Sequence, residues 1–177
     1  AVLADSKSAV EDLLNRKLNA VFEILQQKNL AKQAKHAQIV EIVTPMFDFQ
    51  LMAKLSLGRK YWPGLTREDK AKFTELFFEL LKRSYLHQLT SYKDEEIVVT
   101  SPLEVKGKIH IPTYLVSEGS QILMLYKFYR TNLAWKIYDI EIQGVSIIRS
   151  YRTQFREILQ KSSFDGLLQK LEKSVYN

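Results

Sequence analysis

The chain has 177 residues, enough for one domain with a real core and awkward for two. Its 46% hydrophobic and 26% charged residues are those of a globular protein rather than a disordered one. With no cysteine, disulfides, thiolate nucleophiles and zinc–thiolate sites are excluded; the net charge of +6 is spread along the chain without a dense basic run, so nucleic-acid binding is not expected.

The chain opens at Ala1 with no initiator methionine and no hydrophobic signal segment, as a processed or trimmed mature chain does. Ser8 with Glu11 three residues on makes a capping box, and Val10, Leu13, Leu14, Val21, Phe22 and Leu25 follow helical spacing. A more polar helix is expected from Leu30, carrying Ala34, Ala37, Ile39 and Val43 up to Pro45. A short helix then holds Phe47, Phe49, Leu51, Met52 and Leu55 and stops at Gly58. Pro63-Gly64 punctuates a turn, and Thr66 caps the strongest helix. Its stripe is Phe73, Leu76, Phe77, Leu80, Leu81 and Tyr85, and it is expected to reach the region of Tyr92.

The character changes at Lys93-Asp94-Glu95-Glu96, after which β-like runs follow. These are IVVT, LEVKG, IHIPTYLV, QILMLYKFYR and AWKIYDIEI. Ser117 to Ser120 is a tight hairpin connection, and Pro112 marks an edge strand or a bulge. After Gly144, Ser146 caps a helix with Ile147, Tyr151, Phe155, Ile158 and Leu159; Asp165 to Val175 forms a last one. No apolar run approaches the length of a membrane span, so a soluble chain is expected. Helices, then an antiparallel sheet, then helices make one α+β domain over residues 1–177, with helices wrapping one sheet face.

Chemistry for catalysis is sparse. Asp139 and Glu141 lie on one strand face about 7 Å apart, usable as a carboxylate pair or simply an ion-paired polar face. His36, His87 and His110 fall in unrelated elements without metal-ligand spacing, and no serine sits in a nucleophile elbow. What is abundant is large apolar side chains, including nine Phe and nine Tyr. On one strand Ile122, Met124, Tyr126 and Phe128 share one face, and Leu123, Leu125, Lys127 and Tyr129 the other. That stripe suits an ordinary core or a ligand cavity.

Three blocks, in order, resemble the MlaC family of periplasmic phospholipid-transport (toluene-tolerance) proteins of Gram-negative bacteria. The first is FDFQLMAKLSLGRKYW, with Phe47, Asp48, Phe49, Met52, Ala53, Gly58 and Trp62. The second is FTELFFELLKRSYLHQLTSY, with Phe73, Phe77, Leu81, Tyr85, Leu89 and Tyr92. The third is WKIYDIEIQGVSIIRSYRTQF, with Trp135, Lys136, Asp139, Gly144, Val145, Ser146, Tyr151, Arg152 and Phe155.

The resemblance implies an NTF2-like cone: helices around one strongly curved antiparallel sheet, with an apolar cavity between sheet and helices. It implies a monomeric, non-enzymatic carrier in the periplasm, its signal peptide removed, with bound phospholipid as cargo and no cofactor or metal. Its partners would be an outer-membrane lipoprotein complex and an inner-membrane MCE-domain transporter, in maintenance of outer-membrane lipid asymmetry. The residues expected to bind lipid are Phe47, Met52, Phe77, Leu81, Tyr85, Val99, Met124, Tyr126, Phe128, Tyr138, Ile140, Val145, Ile147, Tyr151 and Phe155. Arg149, Arg152 and Arg156 share a helix face and are candidates to meet a headgroup or an acidic partner, or to remain solvated with Arg152 paired to Asp139. Two alternatives stay open: an enzyme on a cone-like fold using Asp139, Glu141 or His87, and a protein-interaction module without lipid.

Overall fold

Three hairpin turns set the register of the sheet. Lys106-Gly107, Glu118-Gly119 and Gln143-Gly144 all carry positive φ, the geometry whose twist matches paired strands. The computed structural model describes residues 2–92 and 95–177. Within these the chain falls into two compact units: Ala1–Asp48 with Leu89–Val145, and Phe49–Gln88 with Ser146–Asn177. The α+β class expected from the sequence holds. The Lys93-Asp94 part of the expected changeover, and Ala1, lie outside the described residues.

The first unit contains α1 (Val2–Gln26), α2 (Lys32–Val43) and the strands β1 (Glu96–Val99), β2 (Leu103–Val105), β3 (Lys108–Ser117), β4 (Ser120–Arg130) and β5 (Trp135–Ile142), with β6 (Val145–Ser146) at its limit. The strands are ordered β1-β3-β4-β5-β6, with β2 also pairing β3. Helix α1 buries Val10, Leu14, Val21, Ile24 and Leu25 and packs on α2, β1 and β3. It starts well before the expected capping box, so Ser8 is an exposed residue inside the helix rather than its cap.

Pro112 marks neither an edge strand nor a bulge. Strand β3 is central, pairing β4 on one side and both β1 and β2 on the other. The proline is tolerated because its partner strand is interrupted there: β1 pairing ends at Thr113 and β2 pairing at His110. Its carbonyl still accepts from the Thr100 backbone N–H, at 3.0 Å, and from the Thr100 hydroxyl, at 2.7 Å. The missing N–H leaves Thr100 opposite with one ladder hydrogen bond instead of two, and the β1 pairing stops at that point.

Phe47 is extended (φ −102°, ψ 148°) and forms a parallel bridge to Ile137 instead of joining the next helix. The Asp48 backbone N–H donates to the Ile137 carbonyl at 3.0 Å.

The second unit is helical: α3 (Phe49–Leu57), α4 (Arg67–Leu81), a π-helical stretch (Lys82–Leu86) running into α5 (His87–Leu89), α6 (Ile147–Lys161) and α7 (Phe164–Tyr176). Gly58 ends α3 at φ +84°, and the Thr66 and Ser146 hydroxyls accept from the Asp69 and Arg149 backbone N–H groups, both at 3.1 Å, as their positions predict. The long helix runs to Leu89, where the Tyr92 backbone N–H donates to the Leu89 carbonyl at 3.2 Å, so it reaches the region expected; its later turns widen to π geometry. α3 packs on α6 and α4 on α7.

Candidate functional site

The antiparallel register lines up one face of the sheet in three rungs. Val99, Thr113, Met124 and Ile142 form the first; Ile111, Tyr126 and Ile140 the second; Ile109, Phe128 and Ile137 the third. Apart from the buried Thr113, exposure falls along this series. The third rung is dry, at 1%, 0% and 0% exposure, and Tyr126 and Ile140 are 7% and 8% exposed. Val99, Met124 and Ile142 are half-exposed. Burial pushes the Tyr126 phenol well above 10.0, so the ring stays neutral on this face. The face is therefore apolar and closed at one end, with large side chains left partly uncovered at the other.

A β-bulge corrects one expected member. Lys127 lies opposite Asp139 but Phe128 lies opposite Ile137, so Tyr138 is the extra residue in β5. It joins the polar face: its hydroxyl is 3.2 Å from His110 Nε2, its ring meets Tyr129 edge-on at 5.9 Å, and Lys108 Nζ lies 4.7 Å over it. Ile137 and Ile140, three residues apart, consequently share the apolar face. Tyr138 therefore does not stand with Tyr126, Phe128 and Ile140.

The polar face explains the two strand carboxylates. Lys127 Nζ bridges Asp139, at 3.2 Å, and Glu141, all on one side of the sheet. Burial pulls the Lys127 ammonium down, but its hydrogen bond to Glu141 and the Asp139 charge outweigh it and hold it above 10.5. Burial, with the Lys127 charge, holds His110 below 6.5, so it is neutral at pH 7. The pair thus forms a salt-bridged support under the sheet, and His87, exposed in α5, belongs to the other unit. Among the described residues no group of three or more His, Asp or Glu is placed to hold a metal. The Lys127 and Asp139 side chains are only 14% and 7% exposed, so Lys127→Met removes a largely buried ammonium that two carboxylates share. It is expected to lower stability by about 3–5 kcal/mol in urea unfolding; a loss below about 1 kcal/mol would mean that solvent already screens the pair.

Tyr129 donates its hydroxyl to the Asp48 carboxylate, fastening the 44–48 segment beside β5. Burial, then this hydrogen bond, pushes its pKa up to about 12 from 10.0. A raised pKa contributes stability that is complete below pH 10 and is lost as pH climbs toward 12. Tyr129→Phe is expected to flatten that alkaline decline in thermal melts and to remove one late-titrating component from the tyrosinate absorbance; an unchanged decline would assign it elsewhere.

The helical unit collects other expected site residues into a ring cluster. Phe77 meets Tyr151 at 5.4 Å, Phe73 at 6.1 Å and Phe155 at 6.1 Å, and the Tyr151 hydroxyl donates to Ser84 at 3.2 Å. Phe77, Tyr151 and Phe155 are thus partners of one another within this core. Met52, Leu81 and Ile147 are buried, and Tyr85 is half-buried in the π-helical stretch. No simple sequence pattern marks that stretch; such widenings recur at functional sites. Val145 is 58% exposed, because the alternation of β6 turns Ser146 inward and Val145 out. Arg152 Nε donates to the Leu55 carbonyl at 2.8 Å within the helical unit, and Asp139 meets Lys127 within the sheet. Arg149 and Arg156 are exposed.

Against known proteins, a family model described as MlaC protein matches residues 15–173. The chain is 28% identical over 137 residues to the intermembrane phospholipid transport system binding protein MlaC of Haemophilus influenzae, covering 74% of this chain and 64% of that one. It is 24% identical over 126 residues to the toluene tolerance protein ttg2D of Pseudomonas putida, covering 70% and 59%. The chain thus spans less than two-thirds of the length of these two relatives. In fold it is similar to a phospholipid-binding protein from Ralstonia solanacearum solved in complex with a phospholipid, with a TM-score of 0.84 and 21% identity, over 94% of this chain and 96% of that one.

Proposed function

The chain belongs to the MlaC family, and on that premise we propose that it is a single phospholipid-carrier domain, a soluble periplasmic shuttle that performs no covalent chemistry. It would carry lipid between an outer-membrane lipoprotein complex and an inner-membrane MCE-domain transporter and so help maintain outer-membrane lipid asymmetry.

The observation that carries the reading is the graded apolar face of the sheet, where Val99, Met124 and Ile142 stay half-exposed above a dry floor of Phe128 and Ile137. An acyl chain laid on that face covers the side chains that the first unit leaves open. Two acyl chains of about thirty methylenes cost on the order of 20 kcal/mol to expose to water, at about 0.8 kcal/mol each. A carrier must replace nearly all of that burial with protein surface, and the Tyr126, Met124 and Ile140 cluster is the surface proposed to begin it, with Phe47 beside Ile137. The Haemophilus relative's name and the phospholipid in the Ralstonia structure support the same cargo.

The test is uptake. Delipidated protein incubated with vesicles bearing a fluorescent phospholipid, then re-isolated, is expected to carry label at about one lipid per chain or fewer. Protein that stays unlabelled would overturn the proposal.

A further inference from the structure

The helical unit carries its charge unevenly. Residues 49–66, which hold α3, and residues 147–156 of α6 contain six cations and no carboxylate: Lys54, Arg59, Lys60, Arg149, Arg152 and Arg156. The two stretches adjoin. α3 packs on α6, the Arg152 Nε donates to the Leu55 carbonyl, and the Arg152 Cδ lies 4.0 Å from where a Cβ at Gly58 would sit. Lys54, Arg59, Lys60, Arg149 and Arg156 are all exposed. Among the described residues none of these five is ion-paired with a carboxylate. Beyond these stretches the signs mix: α6 continues with Glu157 and Lys161, and α4 and α7 hold both signs, with Lys72 paired to Glu172 across them at 2.8 Å.

We propose that this α3–α6 surface docks the protein on an anionic phospholipid bilayer. Like charges held on one side repel and weaken the fold unless an opposing charge meets them. A protein partner would also need an apolar anchor at the centre of the interface. Neither stretch offers one: among the described residues the exposed large apolar side chains are Val98, Leu103, Val105, Leu133, Val145 and Tyr176, none of them within residues 49–66 or 147–156. Cations without an apolar anchor suit a fluid sheet of negative headgroups, which needs no matched shape. The inference extends the carrier reading, giving the shuttle a way to reach a membrane surface before lipid is exchanged.

Flotation with phosphatidylcholine vesicles, with and without phosphatidylglycerol, tests it. The protein is expected to bind only the anionic vesicles and to release as salt rises. Arg59→Gln/Lys60→Gln/Arg156→Gln is expected to weaken that binding about 100-fold, at about 5-fold per cation near an anionic surface. Arg16→Gln/Lys170→Gln/Lys173→Gln, which removes the same three charges from α1 and α7, is the control for total charge and is expected to change it far less. Equal loss in the control would overturn the assignment, as would unbound wild-type protein or binding to polyglutamate alone, the last pointing to an acidic protein partner. Circular dichroism confirms that each variant is folded. Lipid extraction on the same samples separates the two readings: lipid-free protein that binds anionic vesicles retains this surface and removes the carrier, and lipid-loaded protein that does not bind does the reverse.

Discussion

Tyr126→Asp is expected to strip the protein of phospholipid. Tyr126 lies between Ile111 and Ile140 on the apolar face, buried, with its phenol held neutral by that burial. A carboxylate there is either desolvated, at a cost of several kcal/mol, or draws water onto the face an acyl chain would occupy. Because so buried a substitution also strains the fold, Met124→Asp is its companion. Met124 is half-exposed, so the variant is expected to keep its circular dichroism spectrum while losing most of the lipid recovered by extraction. Lipid retained at wild-type level by folded Met124→Asp protein would move the acyl chains off this face.

Phe77→Ala is expected to be the most destabilising of the conservative apolar truncations in the helical unit. The ring is fully buried and touches Phe73, Tyr151 and Phe155. Removing it deletes the buried surface and leaves a cavity that rigid aromatic neighbours cannot close, about 3–5 kcal/mol. Phe78, half-buried against Phe49 with ring centroids 4.5 Å apart, is expected to lose less on the same change. Urea unfolding of the two variants checks the order. With two compact units, an unfolding curve that splits into two phases for Phe77→Ala would show that the helical unit opens alone.

Local signals carried most of the element boundaries. Thr66 and Ser146 are caps because a hydroxyl one residue before a helical run satisfies an otherwise unpaired N–H, and Gly58 and Gly119 sit where φ must be positive. What the chain does not announce is set by contacts between distant residues. Pro112 looks like an edge residue until the interruption between β1 and β2 is known. The face of Tyr138 depends on one extra residue opposite Lys127, which shifts the alternation by one. A trace of it was present in Ile137 and Ile140, whose spacing of three fits no regular strand. The Lys127 bridge to Asp139 across the β4–β5 pair and the Arg152 bond to a carbonyl of α3 likewise join residues that are far apart in the chain. Phe77, Tyr151 and Phe155 show the other limit: aromatic residues at helical spacing mark burial without distinguishing a partner ring from a ligand.

Organic extraction of natively purified protein, followed by mass spectrometry and phosphorus assay, tests the carrier reading most directly. The expected result is diacyl phospholipid at about one molecule per chain or fewer, much reduced in folded Met124→Asp protein. Wild-type protein that is free of lipid as purified, and remains so after incubation with vesicles, would contradict it.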